Sequence, residues 1–116
     1  MFTAFNERND FSYAFEKIRN AIFAPGENNV YAATELGLGI LLRKYEQFRR
    51  ELDAAGELGN WEYDLDTYNH CIAVLQRYFT GNPSGLTERD ARIYSHYLQT
   101  EHKGFVKLAE ELAADR

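Results

Sequence analysis

Proton transfer, metal ligation and nucleophilic attack draw on histidines, carboxylates and thiols. This chain offers three histidines (His70, His96 and His102), one cysteine (Cys71) and 18 acids. Asp66 and His70 stand at i, i+4, which puts them on one helical face as a workable pair of metal ligands, with Asp64 beside them. A third and fourth ligand would have to come from His96, His102 or Glu101, and His96 points away from the apolar face of its own helix. No Glu-x-x-His occurs, so the pattern of di-iron carboxylate bundles is absent. Helix capping and a solvated histidine account for these residues without an ion, and neither a metal site nor a cofactor is expected.

Glu101 is the sharper polar anomaly. It interrupts the apolar series Ala91, Tyr94, Leu98, Phe105, Leu108 and Leu112 at the place where Leu or Ile would be expected. A desolvated carboxylate there would have a raised pKa, as general acids and bases do. A pair with an arginine or a tyrosine hydroxyl is the plainer account, and His102 flanks the same series. Glu101, His102 and His70 thus define an enzymatic alternative, metal-dependent or acid/base. Cys71 flanks an apolar face with no helix start or base next to it in sequence, which reads as inert packing. Nothing matches a nucleophilic triad, a zinc-finger spacing, a P-loop or a dinucleotide fingerprint.

Charge is more informative than catalysis. Between Arg50 and Arg77 there is no lysine or arginine, but there are six acids: Glu51, Asp53, Glu57, Glu62, Asp64 and Asp66. Removing those six from the 18 leaves 12 against 13 bases, so the net charge of −5 arises in this stretch alone. Trp61, the only tryptophan, lies in it with Tyr63 and Tyr68. Rigid aromatics among like charges suit a surface that meets a partner: the rings give contact area with few rotamers to freeze, and the acids steer a basic partner. Glu57, Trp61, Glu62, Tyr63, Asp64 and Asp66 are the candidate partner-binding residues. The structural counterpart is that Trp61 plugs the end of the fold while Asp64 or Asp66 caps a helix.

A basic cluster precedes this stretch, Arg43, Lys44, Arg49 and Arg50, with Tyr45 and Phe48 interleaved. Such a mixture can grip nucleic acid. Here both aromatics fall on an apolar helical stripe and Glu46 and Glu51 dilute the charge. A solvated face is the better reading, and nucleic acid is not an expected partner.

Four segments repeat apolar residues at spacings of three and four. The first, about 10–23, places Phe11, Phe15, Ile18 and Ile22 on one face, with Asn9 or Asp10 as cap and Pro25-Gly26 as stop. The second, about 29–55, carries Leu38, Leu41, Tyr45, Phe48 and Leu52, while Leu36 and Ile40 give its first half apolar residues on the other side too. Those two are candidates for self-association and leave a homodimer open. Gly37 and Gly39 inside this helix point to a close backbone approach, a bend or a break. The third, about 65–79, carries Leu65, Tyr68, Ile72, Leu75 and Phe79. The fourth, about 87–113, opens on Thr87-Glu-Arg-Asp90, a capping box with Asp in place of Glu. Tyr13, Val74, Tyr78 and Ile93 fall opposite their helices' apolar stripes.

Short connections favour antiparallel neighbours, so residues 1–116 are expected to form a single all-α domain, an irregular antiparallel four-helix bundle. The longest uncharged apolar run, Leu36 to Leu42, falls far short of the ~20 residues that cross a bilayer. One cysteine allows no internal disulfide, and the N-terminus has neither the basic start nor the apolar run of a signal peptide, which together point to the cytoplasm. In size, acidity and helicity the chain resembles small helical proteins that inhibit or neutralise a basic partner, such as bacterial immunity proteins and phage-encoded counter-defence proteins. That resemblance implies a non-enzymatic interaction protein whose partner presents a basic surface.

Overall fold

The computed structural model describes residues 2–6 and 11–114. Helix α1, Ser12–Phe23, buries Ala14, Phe15, Ile18, Ala21 and Ile22 on one face and ends two residues before Pro25. The Asn9 or Asp10 cap expected for it lies outside the described residues. Ala24 then turns the chain, its carbonyl accepting from the Asn29 side-chain amide at 2.8 Å.

The second helical stretch is continuous but not uniform. It begins as α2, Glu27–Tyr31, widens into a π-helical segment at Ala32–Leu38, and resumes as α3, Gly39–Ala54. The two glycines sit at the wide part. A methyl group at Gly37 would come within 2.9 Å of Ile18 Cγ1 and 3.0 Å of the Ala14 carbonyl, so α1 lies directly on this backbone. At Gly39 it would stand 3.2 Å from the Thr34 carbonyl, the acceptor that the Gly39 amide reaches across the widened turn. Close approach and local distortion are therefore both present, and the helix is not broken. Leu38 and Leu41 turn inward, Ile40 is half-buried, and Leu36 is 39% exposed.

Helix α4, Glu62–Phe79, starts earlier than the apolar spacing suggests, and its N-cap is Trp61, with no side-chain capping bond. Asp64 and Asp66 are therefore inside the helix rather than at its cap, where Asp64 and Glu62 suit the positive end of the dipole. Helix α5, Glu88–Ala114, does start on its capping box. The Thr87 amide donates to Asp90 Oδ2 at 3.0 Å and the Asp90 amide to Thr87 Oγ1 at 3.1 Å, holding the Asp90 carboxyl below its ordinary range.

The result is an all-α irregular antiparallel four-helix bundle with no strand among the described residues. α1 packs on the π segment and on α5, and α4 packs on α5, α3 and the π segment. Because α4 is covered on several sides, Val74 is buried and Tyr78 half-buried, although both lie off its main stripe. Tyr13 and Ile93 are exposed, as their positions predict.

The bundle closes around a segment with no helical signature. Phe2, Ala4 and Phe5 are buried, and Phe5 has no exposure at all. Its ring meets Phe48, Phe105, Tyr68 and Phe11 at centroid distances of 5.1, 5.3, 5.7 and 5.7 Å. Glu51 pins this segment from α3, its carboxylate accepting from the Thr3 amide and hydroxyl at 3.1 and 3.0 Å and from the Ala4 amide at 3.2 Å. One of the six acids of the base-free stretch is thereby committed to the fold.

Candidate functional site

The acidic stretch folds into a knuckle between α3 and α4. The chain turns just after α3 at Gly56, whose φ of +73° is accessible to glycine without steric cost. The Gly56 amide reaches the Asp53 carbonyl at 3.0 Å and the Glu57 amide the Leu52 carbonyl at 2.8 Å, a Schellman closure that turns the chain sharply. A 3-10 turn, Leu58–Asn60, follows and delivers Trp61 to the start of α4.

The six predicted partner-binding residues divide at this point. Trp61 is half-buried against the core, and its indole Nε1–H reaches Glu57 Oε1 at 3.4 Å, a long hydrogen bond. Asp64 is half-buried and faces α5, where its charge adds to burial in raising the Glu101 carboxyl. Glu62, Tyr63 and Asp66 remain on the open face. They sit at i, i+1 and i+4 of α4, and Tyr63 is 81% exposed, the most open large apolar side chain among the described residues. Asp53, at the end of α3, is exposed as well.

The carboxylate and histidines of the enzymatic alternative diverge. The centre of the buried face of α5 is Ala91, Ser95, Leu98, His102, Phe105 and Ala109, so His102 occupies the inward position that the apolar series assigns to Glu101. Glu101 lies half-buried on the α4 side, where burial first and Asp64 second raise its pKa. Cys71, on the same seam, is raised by burial and then by Glu101. His70 is exposed, with its ring edge toward Tyr94 at 6.1 Å. No three His, Cys, Asp or Glu side chains among the described residues form a group able to hold a metal ion.

His102 is the functional-looking residue that apolar periodicity passes over. Its ring stands edge-on to Phe11, Phe5 and Phe15 at 4.4, 5.0 and 5.2 Å. Burial lowers its pKa from 6.5 to about 4, so the imidazole is neutral at neutral pH. Nδ1 lies 3.3 Å from the hydroxyl of fully buried Tyr68, whose own pKa burial pushes up. That hydroxyl has no other acceptor among the described residues, so it donates to Nδ1 and the His102 proton belongs on Nε2. No buried side-chain nitrogen or oxygen among the described residues lacks a partner, so Nε2 takes the ring's small residual exposure. His102 lines a cavity of about 460 Å³ between α1 and α5. The spacing Ala91-Ser95-Leu98-His102-Phe105-Ala109 alternates four and three throughout, and that regularity is the signal that identifies His102 as inward.

The basic cluster of α3 divides as expected. Tyr45 and Phe48 are core residues, Tyr45 stacked on Tyr68 at 5.9 Å, while Arg43, Arg49 and Arg50 are exposed and Lys44 is half-exposed. No aromatic face there is available to stack on a base.

Compared with protein families, with curated proteins and with solved structures, the chain matches none. No helix among the described residues is long and apolar enough to cross a membrane.

Proposed function

We propose that this protein is a small, non-enzymatic protein–protein interaction protein that engages a basic partner surface through the knuckle between α3 and α4, in the manner of an inhibitor or neutraliser. The observation that carries the reading is Tyr63, 81% exposed in a stretch without a single base, with Glu62 and Asp66 on the same face. An open tyrosine on a helix offers contact area at low entropic cost, and carboxylates around it steer and orient a cationic partner. The Gly56 closure and the half-buried Trp61 hold that face at a fixed angle to the bundle, so Trp61, Glu57 and Asp64 position the contact surface from behind. The same surface could serve in a homodimer only across a basic face of the second copy, such as Arg43, Arg49 and Arg50. Leu36 is a separate apolar position available for self-association.

The test is affinity capture from the source cell with wild type and with the triple variant Glu62→Gln, Tyr63→Ala and Asp66→Asn. A basic protein held by wild type, lost from the variant and released by moderate salt supports the reading. Capture that is equal for both proteins, with helical circular dichroism intact, overturns it.

A further inference from the structure

Among the described residues, the groove between α1 and α5 carries an excess of positive charge. One part, about 460 Å³, is lined by Phe11, Phe15 and the imidazole of His102, all three largely buried. A smaller part of about 180 Å³ lies toward the end of α1, and both parts share Arg19 and Gln99. Among the described residues that line the larger part, Arg19 from α1 and Lys103 from α5 stand against one acid, Glu16. Neither cation has a carboxylate within ion-pair distance among the described residues, and the only ion pair there joins Arg92 to Glu88 at 3.4 Å. Arg92, which lines the smaller part, also lies over the Phe23 ring at 4.8 Å.

We infer that this groove is a binding site for a small organic anion with a flat apolar body, a carboxylate held by Arg19 and Lys103 and a ring laid against Phe11, Phe15 and His102. The volume suits a small molecule: ligand sites run from roughly 300 to 1,000 Å³ and combine an apolar lining with a few placed polar groups. A planar guanidinium matches a carboxylate in two parallel hydrogen bonds, and a lysine adds a point charge. The Nε2–H of His102, fixed by Tyr68 on the other nitrogen, supplies a neutral donor at the floor for a second polar atom of the ligand. A cationic groove in a chain of net charge −5 favours anions locally, apart from the acidic stretch between Arg50 and Arg77.

The probe is 2-naphthoate, titrated into the full chain and followed by calorimetry and by the His102 ring resonances. Saturable one-to-one binding is expected, with the His102 signals shifted. The neutral analogue 2-naphthalenemethanol and the variant Arg19→Gln with Lys103→Gln should each weaken it about tenfold or more, while Arg43→Gln with Arg49→Gln on α3 leaves it unchanged. No saturation by about 10 mM naphthoate, or an equal loss from the two double variants, overturns the inference. So does an acidic peptide that displaces naphthoate while binding far more tightly, since the occupant would then be a protein segment. The knuckle plays no part in this experiment, so the two proposals stand or fall separately.

Discussion

The knuckle at Gly56–Asp66 and the groove floored by His102 are built in opposite ways. The knuckle comes from one contiguous run of chain: a helix stop, a 3-10 turn and a helix start, with its charges adjacent in sequence. The groove is assembled from residues far apart, Phe11 and Arg19 from α1 with His102 and Lys103 from α5, and its floor is backed by Phe5. A surface made from one run can change without disturbing the core. A cavity made from several elements shares its walls with the core, so its integrity and the stability of the fold are the same quantity. The difference also has a sign: the local surface is acidic and convex, and the assembled one is cationic and concave.

The largest effect should follow removal of the ring on which the groove is assembled. Phe5→Ala is expected to cost about 3–5 kcal/mol, the range for a fully buried phenylalanine. A domain of this kind has only ~5–15 kcal/mol in total. Urea unfolding gives the number. A loss under about 1 kcal/mol would mean that Phe2–Asn6 is a loose flap and that the bundle closes without it.

Next in size is a pH effect located at the groove floor. His102 has a folded pKa of about 4 against 6.5 unfolded. Between those values the unfolded chain binds a proton that the folded chain refuses, so stability is complete above 6.5 and falls as pH is lowered through 4. The expected loss by pH 4 is on the order of 3 kcal/mol. Glu101, raised by burial and by Asp64, works in the opposite direction over the carboxylate range. The His102 contribution is therefore isolated as wild type minus His102→Gln, measured by denaturant unfolding at pH 7 and at lower values. Parallel profiles for the two proteins would mean that the folded imidazole takes up its proton as readily as the unfolded one, and would deny that burial lowers its pKa.

A smaller effect tests how α1 is seated. Gly37→Ala should destabilise by about 1–3 kcal/mol, because the new methyl meets Ile18 Cγ1 and the Ala14 carbonyl at 2.9 and 3.0 Å. Gly104→Ala, with nothing within 4 Å of the added carbon, should instead gain up to about 1 kcal/mol from helix propensity. Two glycine-to-alanine changes of opposite sign in one protein separate close approach from propensity, and equal shifts in melting temperature would deny the contact between α1 and the π segment.

The same contrast explains what was legible in the residues. Four helices, their inward faces on α1, α3 and α4, and the capping box at Thr87 follow from spacing and local chemistry, which act within a few residues. The two glycines announce a local irregularity, although the spacing does not say that it is a widened turn. Phe2–Asn6 carries no periodicity, and its burial depends on Glu51 some 48 residues away, a relation that no local pattern encodes. His102 escapes for a different reason. With only apolar residues counted, the gap in the series falls on Glu101, and the four-and-three spacing through Ser95 and His102 shows only when polar residues are admitted to the face. The knuckle was visible because its chemistry is contiguous, and the groove was not because its charges converge only when α1 meets α5.

The smallest expected effect is the one most specific to the knuckle. Glu62→Gln, Tyr63→Ala and Asp66→Asn together should leave the unfolding free energy within about 0.5 kcal/mol of wild type. Loss of Glu62 removes a carboxylate from the first turn of α4, a cost of roughly 0.3–1 kcal/mol in dipole stabilisation. Tyr63→Ala returns about half a kcal/mol in helix propensity and gives up little packing, because the ring is 81% exposed. Asp66→Asn relieves repulsion within a stretch that has six acids and no base. Trp61→Ala is the matched contrast: it should cost more than the triple variant, because the indole packs on the core and its Nε1–H bonds Glu57. If instead the triple variant lost several kcal/mol and Trp61→Ala nothing, the roles would be exchanged, with Tyr63 part of the fold and Trp61 the side chain left for a partner.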